Sequence, residues 1–143
     1  MKRHAALLGL SRDHHLALVI ANRAKRASGE ADGPSQGPAS EIAGTFYREI
    51  EPHFQTEENG LLPALEKAGQ SRLVTQTLAE HKMLRELAGL LEKGGIDMLH
   101  RFGELLDRHV RFEERELFPM TESVLTEEEL DGIASKADGR SEI

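Results

Sequence analysis

HFQTEENGLLP (His53–Pro63) and HVRFEERELFP (His109–Pro119) are one phrase written twice. Each opens on histidine, carries a Glu–Glu pair four residues on, and closes on an apolar pair and a proline. The second copy follows the first by 56 residues. On a helix, a histidine and a glutamate four apart project from the same face about one turn apart. Each phrase therefore puts an imidazole and a carboxylate side by side, and the question is what they face.

The residues around each phrase answer in part. Apolar residues at helical period run into both copies: Ile42, Phe46, Ile50, His53, Glu57 and Leu61 share one face, and Leu99, Phe102, Leu106, His109, Glu113 and Leu117 share another. Two further segments show the same periodicity. One face carries Leu7, Leu10, His14, Ala17, Leu18 and Ala21; the other carries Val74, Leu78, His81, Leu84, Leu87, Ala88 and Leu91. Every apolar stripe thus holds one histidine, and two stripes add a glutamate.

The punctuation predicts four long helices. The first is expected from about Ser11, as N-cap, to Ala27. Ser28–Ala39, with three glycines and two prolines in twelve residues, reads as a loop. Ser40 is expected to cap a second helix running to Glu58 or on to Ala68, with Pro52 bending it just before His53. Ser71 is expected to cap a third helix ending at Lys93. Gly94-Gly95 turns the chain into a fourth, from about Asp97 to Glu116 or past Pro119. Pro63 and Pro119 are expected to bend or stop their helices. Thr126 followed by three glutamates predicts a short fifth helix, to about Lys136, and residues 138–143 read as a frayed tail. Short connections make sequential helices pack antiparallel, so the fold class is an all-α, up-down-up-down four-helix bundle. It forms a single domain over residues 1–143, with a core of about 7–125.

Such a bundle would gather four imidazoles and two carboxylates in its interior. Each ionised carboxylate buried without a partner costs several kcal/mol, and no Lys or Arg lies on these stripes. A domain with roughly 5–15 kcal/mol of net stability cannot carry that set in an empty core. A lone histidine on an apolar stripe is ordinarily a hydrogen-bonded core residue. Four of them on four stripes, with two matched glutamates, are better explained by two divalent cations. The candidate metal ligands are His14, His53, Glu57, His81, His109 and Glu113. Nitrogen and carboxylate oxygen donors without sulfur suit iron, manganese or zinc, and six ligands exceed the four of a structural zinc site. Glu58 and Glu114 are expected beside the ligand faces. His15 points about 100° from His14 on a helical wheel and reads as a flank residue. His4 and His100 lie off the stripes, and Tyr47 reads as packing.

Composition narrows the partners. The chain of 143 residues carries a net charge of −7 and no basic cluster denser than Arg23, Lys25 and Arg26, which read as a helix end. That argues against nucleic acid and anionic membranes. No apolar run approaches the ~20 residues of a membrane span. The absence of cysteine removes disulfides, thiolate ligands and cysteine nucleophiles. The start of the chain lacks a signal peptide's apolar region, so a cytoplasmic location is expected.

The order His14, His53-x-x-x-Glu57, His81, His109-x-x-x-Glu113, with HF-x-x-EE and Leu-Phe-Pro around the pairs, resembles the hemerythrin-like HHE cation-binding domain family over roughly residues 7–125. The resemblance implies a four-helix bundle holding two iron ions, bridged by the two glutamates and by oxo or hydroxo. It also implies His14 rather than His15 as the first ligand, since His14 follows Asp13 as His81 follows Glu80. The ferritin-like pattern of Glu-x-x-His pairs is absent from the chain. Two departures weigh against simple reversible oxygen carriage. Thr77 and Arg85 flank His81 where oxygen carriers have a second histidine, and His109-x-x-x-Glu113 replaces a His-x-x-x-x-Asp pair. The expected function is a non-haem di-iron protein that binds, senses or detoxifies oxygen, nitric oxide or peroxide, or buffers iron. The alternatives are a di-iron oxidase or peroxidase, and a metal-free helical interaction module.

Overall fold

The computed structural model describes residues 3–28 and 36–133, and all regular structure among them is helical. Helix α1 spans Ala5–Ser28. It starts a turn and a half before the expected cap, because Ala6, Leu7 and Leu10 extend its apolar stripe and are buried. The His4 ring caps it instead, Nδ1 accepting from the Ala6 amide at 2.9 Å. Ser11 lies inside the helix and donates its hydroxyl to Glu114 at 2.8 Å. Helix α2 runs through Gln36–Thr45, Phe46–Ile50, Glu51–Thr56, Glu57–Leu61 and Leu62–Lys67. It too begins before its expected cap, so Ser40 is internal. Residues 29–35 of the expected loop lie outside the described residues, as does the tail from 138 onward.

Helix α3 spans Ser71–Glu92, its N-cap being Gln70 rather than Ser71. A 3-10 turn, Ile96–Met98, leads into α4, which runs through Leu99–Phe112, Glu113–Leu117 and Phe118–Val124. A fifth helix, α5, is described over 127–133, and the rest of its expected span, to Lys136, lies outside the described residues. Its start is a reciprocal cap: the Glu129 amide donates to Thr126 Oγ1 at 3.1 Å and the Thr126 amide donates to Glu129 Oε1 at 2.9 Å. Gly69 (φ 84°) and Gly94 (φ 97°) end α2 and α3 in the left-handed conformation that favours glycine. Beyond each, an amide reaches five residues back, Gln70 to Leu65 and Gly95 to Leu90.

None of three interior prolines ends its helix, contrary to a stop at Pro63 or Pro119. A proline donates no hydrogen bond and its ring crowds the carbonyl four residues earlier. Each is preceded by a wide, π-type turn that relieves the crowding. The amide just before Pro52, that of Glu51, bonds to the Phe46 carbonyl five residues back. Likewise the Leu62 amide bonds to Glu57 before Pro63, and the Phe118 amide to Glu113 before Pro119. The repeated phrase is therefore a backbone device as well as a side-chain one. In both copies the wide turn opens on the glutamate that shares a face with the histidine.

The four long helices form the up-down-up-down bundle. α1 packs chiefly on α4 and α2 chiefly on α3, with α1–α2 and α3–α4 completing the square. The interior is split. One apolar cluster centres on Phe46, Phe54, Leu84, Leu91, Phe102 and Leu106. The other centres on Leu7, Leu10, Leu61, Leu65, Leu117 and Phe118, and is closed by Leu130 and Ile133 of α5. Leu78 does not join either; it is 44% exposed, and Thr77 takes the inward position. No described helix is long and apolar enough to cross a membrane.

Candidate metal centre

Between the two apolar clusters lies a polar layer. His14, His53, Glu57, His81, His109 and Glu113 are all buried, the two glutamates completely. All six residues singled out from the sequence are thus brought together, one histidine from each helix and the glutamates from α2 and α4. Glu57 and Glu113 occupy the middle. Glu57 places one oxygen 3.1 Å from His53 Nε2 and the other 3.0 Å from His81 Nε2. Glu113 places one oxygen 2.7 Å from His14 Nε2 and the other 3.1 Å from His109 Nε2. Each carboxylate therefore spans two imidazoles on different helices.

Two donor groups result among the described residues. His14 and His53 form one with both glutamates, and His81 and His109 form the other with the same two glutamates. Within each group the donor atoms lie within 4.8 Å of one another. Proximity is not pairing here. Nε2 of His53, His81 and His109, both oxygens of Glu57 and Oε2 of Glu113 are buried and have no hydrogen-bond partner. Orphaned polar atoms cost free energy that a native interior avoids. His14 Nε2, 2.7 Å from Glu113 Oε1, makes the hydrogen bond that the other three Nε2 atoms lack, and nitrogen and oxygen donors converging in this way fit cations.

The outer edges of the imidazoles are fully engaged. Nδ1 of His53 lies 3.0 Å from Asp13, and Nδ1 of His81 lies 2.7 Å from Glu58. Nδ1 of His109 lies 2.6 Å from Glu80, and Nδ1 of His14 lies 2.6 Å from Glu114. The pattern is cyclic. α1 supplies the carboxylate for the histidine of α2, α2 for α3, α3 for α4, and α4 for α1. A carboxylate at Nδ1 takes that nitrogen's proton in a hydrogen bond, fixes the tautomer and leaves the Nε2 lone pair facing inward. The residues expected beside the ligand faces, Glu58 and Glu114, are two members of this ring. Asp13 and Glu80 are the others, and the Asp-His and Glu-His dipeptides were their signal.

Two arginines complete the outer layer at matching places. Arg85 donates to Glu58 at 2.9 Å and to Glu51 at 2.7 Å. Its guanidinium lies over the Phe54 ring, which stacks on His81. Arg3 donates to Glu114 at 3.0 Å and to Glu122 at 2.9 Å. It lies over the Phe118 ring, which stacks on His14. The other histidines take no part in the layer. His15 and His100 are exposed as expected. His4 is not, being partly buried against Glu127 and Glu122.

Without a cation, protons fill the layer. Burial alone would lower His81, but the carboxylates of Glu113, Glu57 and Glu58 outweigh it and carry the pKa up to about 10. His109 is buried too, and Glu113 with Glu80 brings it up to about 9. His53 is raised well above its ordinary value against the same desolvation, by Glu57, Asp13 and Glu113. Burial disfavours the Glu113 carboxylate, but the surrounding imidazoles hold its pKa well below the usual range.

One narrow cavity, about 20 Å³, reaches this layer between α1, α2 and α4. His14, His53 and His109 form its floor, Leu106 and Val110 part of its wall, and Asp13 and Glu49 lie on its lining nearer solvent. It holds about one small molecule.

The model of the hemerythrin HHE cation binding domain family matches residues 8–121 of the chain. No match is found among curated proteins or among solved structures.

Proposed function

The chain belongs to the hemerythrin HHE cation-binding domain family, and on that premise we propose that its polar layer is a di-iron centre that takes up a small oxidising or diatomic species. His14 and His53 would hold one ion and His81 and His109 the other, with Glu57 and Glu113 offering a carboxylate oxygen to each side. The observation that carries this reading is the grouping of buried donors, two imidazoles to each side of a shared glutamate pair, with Nε2 of three of the four histidines and three of the four carboxylate oxygens left without a hydrogen-bond partner. When bound, iron supplies redox chemistry and open coordination positions for oxygen, nitric oxide or peroxide.

The protein's own contribution is placement and exclusion. The ring of Asp13, Glu58, Glu80 and Glu114 orients the four imidazoles before any ion arrives, which lowers the cost of assembling the site. The apolar clusters above and below keep bulk water out, and the narrow cavity gives access between them. Each histidine donates one lone pair and keeps its second nitrogen protonated towards a carboxylate, so the imidazoles themselves are poor proton carriers once metal is bound.

The test is metal analysis of protein purified without oxygen, followed by spectra on adding oxygen, nitric oxide and peroxide. About two iron ions per chain are expected of a dinuclear bundle site. A visible or near-ultraviolet change should follow at least one of the three additions. Metal-free protein that refuses ferrous iron would defeat the reading.

A further inference from the structure

The aromatic side chains of this protein are few, and they are arranged as a ladder. Phe54 lies face to face with His81, ring centroids 3.7 Å apart and planes 13° apart, and edge-on to His109 at 5.6 Å. Phe46 meets Phe54 edge-on at 5.7 Å, and Tyr47 meets Phe46 edge-on at 5.3 Å. Phe46 and Phe54 are buried, whereas Tyr47 is 40% exposed. The ladder thus begins on an imidazole of the metal layer and ends on a phenol in solvent.

Tyr47 is the only tyrosine in a chain with no tryptophan and no cysteine. It is therefore the one aromatic ring here that gives up an electron readily. Packing explains the ring but not the hydroxyl. The phenol oxygen lies 3.9 Å from where a Cβ on Gly89 would stand, so the ring already covers that glycine. Partial burial, with Glu92 and Glu51 nearby, raises the phenol's pKa and keeps it protonated. Loss of an electron must then be accompanied by loss of the proton, which passes to solvent at this exposed ring.

We propose that Tyr47 is a one-electron donor to the metal layer, coupled to it through Phe46, Phe54 and His81, and that it carries oxidising equivalents out to the surface. This rests on the di-iron reading. The phenylalanines are too hard to oxidise to hold the charge; their ring contacts serve as a bridge between donor and centre. The oxidant is hydrogen peroxide. One peroxide and two Tyr47 phenols, from two chains, give two waters and two phenoxyl radicals, each phenol losing one electron and one proton. The radicals couple by a carbon–carbon bond into one dityrosine, its ring protons shifting to restore the phenols.

The experiment treats full-length, iron-loaded protein, with iron content measured first, with hydrogen peroxide. Radical formation is read by electron paramagnetic resonance of rapidly frozen samples, and coupling by dityrosine fluorescence and the mass of the crosslinked dimer. Wild type should give both signals and metal-free protein neither. Phe46→Leu, which breaks the ladder but leaves the phenol in place, should cut the yield several-fold. Tyr47→Phe combined with Glu128→Tyr moves the sole tyrosine to the exposed face of α5 and tests the same point without touching the core; it should give little product. Equal yield from metal-free protein or from the relocated tyrosine would overturn the proposal. So would a fully iron-loaded wild type that gives no product, which leaves the di-iron reading intact. Failure of iron to bind at all would sink both.

Discussion

Glu114, on α4, lies 2.6 Å from Nδ1 of His14, on α1, and that contact closes the ring of carboxylates around the four imidazoles. Its other oxygen receives Arg3, while Ser11 donates to the oxygen that faces His14. Burial raises the carboxylate's pKa, but His14 and Ser11 overcome this and hold it below the ordinary range. Glu114→Gln keeps the size of the side chain but removes the charge that supports the imidazole. It should weaken iron binding about 10- to 100-fold, as removal of such supporting groups does elsewhere. Glu58→Gln should do the same at His81. Titration of the metal-free variants with ferrous or cobaltous ion checks both, and unchanged affinity in both would mean that the ring merely packs.

The metal-free protein should lose stability in alkali. His81 and His109 bind protons more tightly when folded, with pKa values up to about 10 and about 9 against an ordinary 6.5. Their contribution is complete below about pH 6.5 and disappears as pH rises through 9 to 10. Glu113 works the other way. Its depressed pKa adds stability above the ordinary 4.5 that is lost as pH falls through the folded value. Urea midpoints of metal-free protein should therefore peak in mildly acidic to neutral solution and fall on both sides. Metal binding needs neutral imidazoles, so affinity should climb over the same range in which metal-free stability declines. Parallel rather than opposed trends would contradict the protonated layer.

Gly103 sets the closeness of α1 and α4. A Cβ there would stand 2.6 Å from the Ala21 carbonyl oxygen and 2.8 Å from Lys25 Cγ. The carbonyl is backbone and can yield only if a helix moves. Gly103→Ala should cost about 1–3 kcal/mol, the usual range for overpacking, despite alanine's better helix propensity. Urea unfolding measures it. Because the same seam carries the His14–Glu114 contact, the variant should also bind iron less tightly than its stability alone would suggest.

The bundle and its six inward polar side chains could be read from periodicity because every stripe carried its own histidine, and a helix fixes what shares a face. What depends on how helices rotate against one another could not. Periodicity put Leu78 on the α3 stripe; rotation instead put Thr77 inside, where its hydroxyl donates to the Leu73 carbonyl at 2.7 Å, and left Leu78 at the surface. Which histidine each outer carboxylate serves was hidden for the same reason, since each contact crosses a seam between two helices. Ser11 and Ser40 misled because a capping residue type inside a helix looks the same as one at its start. The prolines misled because propensity reasoning takes an α-helical turn as given, whereas wide turns before Pro52, Pro63 and Pro119 let the helices continue.

Replacing His53 and His109 together by leucine separates the demands of the site from those of the fold. In metal-free protein the pair occupies positions 4% and 1% exposed, each with a partnerless Nε2. Leucine removes the desolvation cost of the imidazoles but also the positive charge beside the fully buried Glu57 and Glu113 carboxylates, and Asp13 and Glu80 lose their partners at the outer edge. At neutral pH the metal-free double variant should therefore melt below the wild-type temperature. Ferrous iron should then widen the gap between the two proteins. An ion that binds only the folded wild type at 100 times its dissociation constant adds about 2.7 kcal/mol, whereas the variant, left with one imidazole on each side, should gain little. Melting curves with and without anaerobic iron decide it. A variant that still rises with iron as far as the wild type would mean that the cation sits elsewhere.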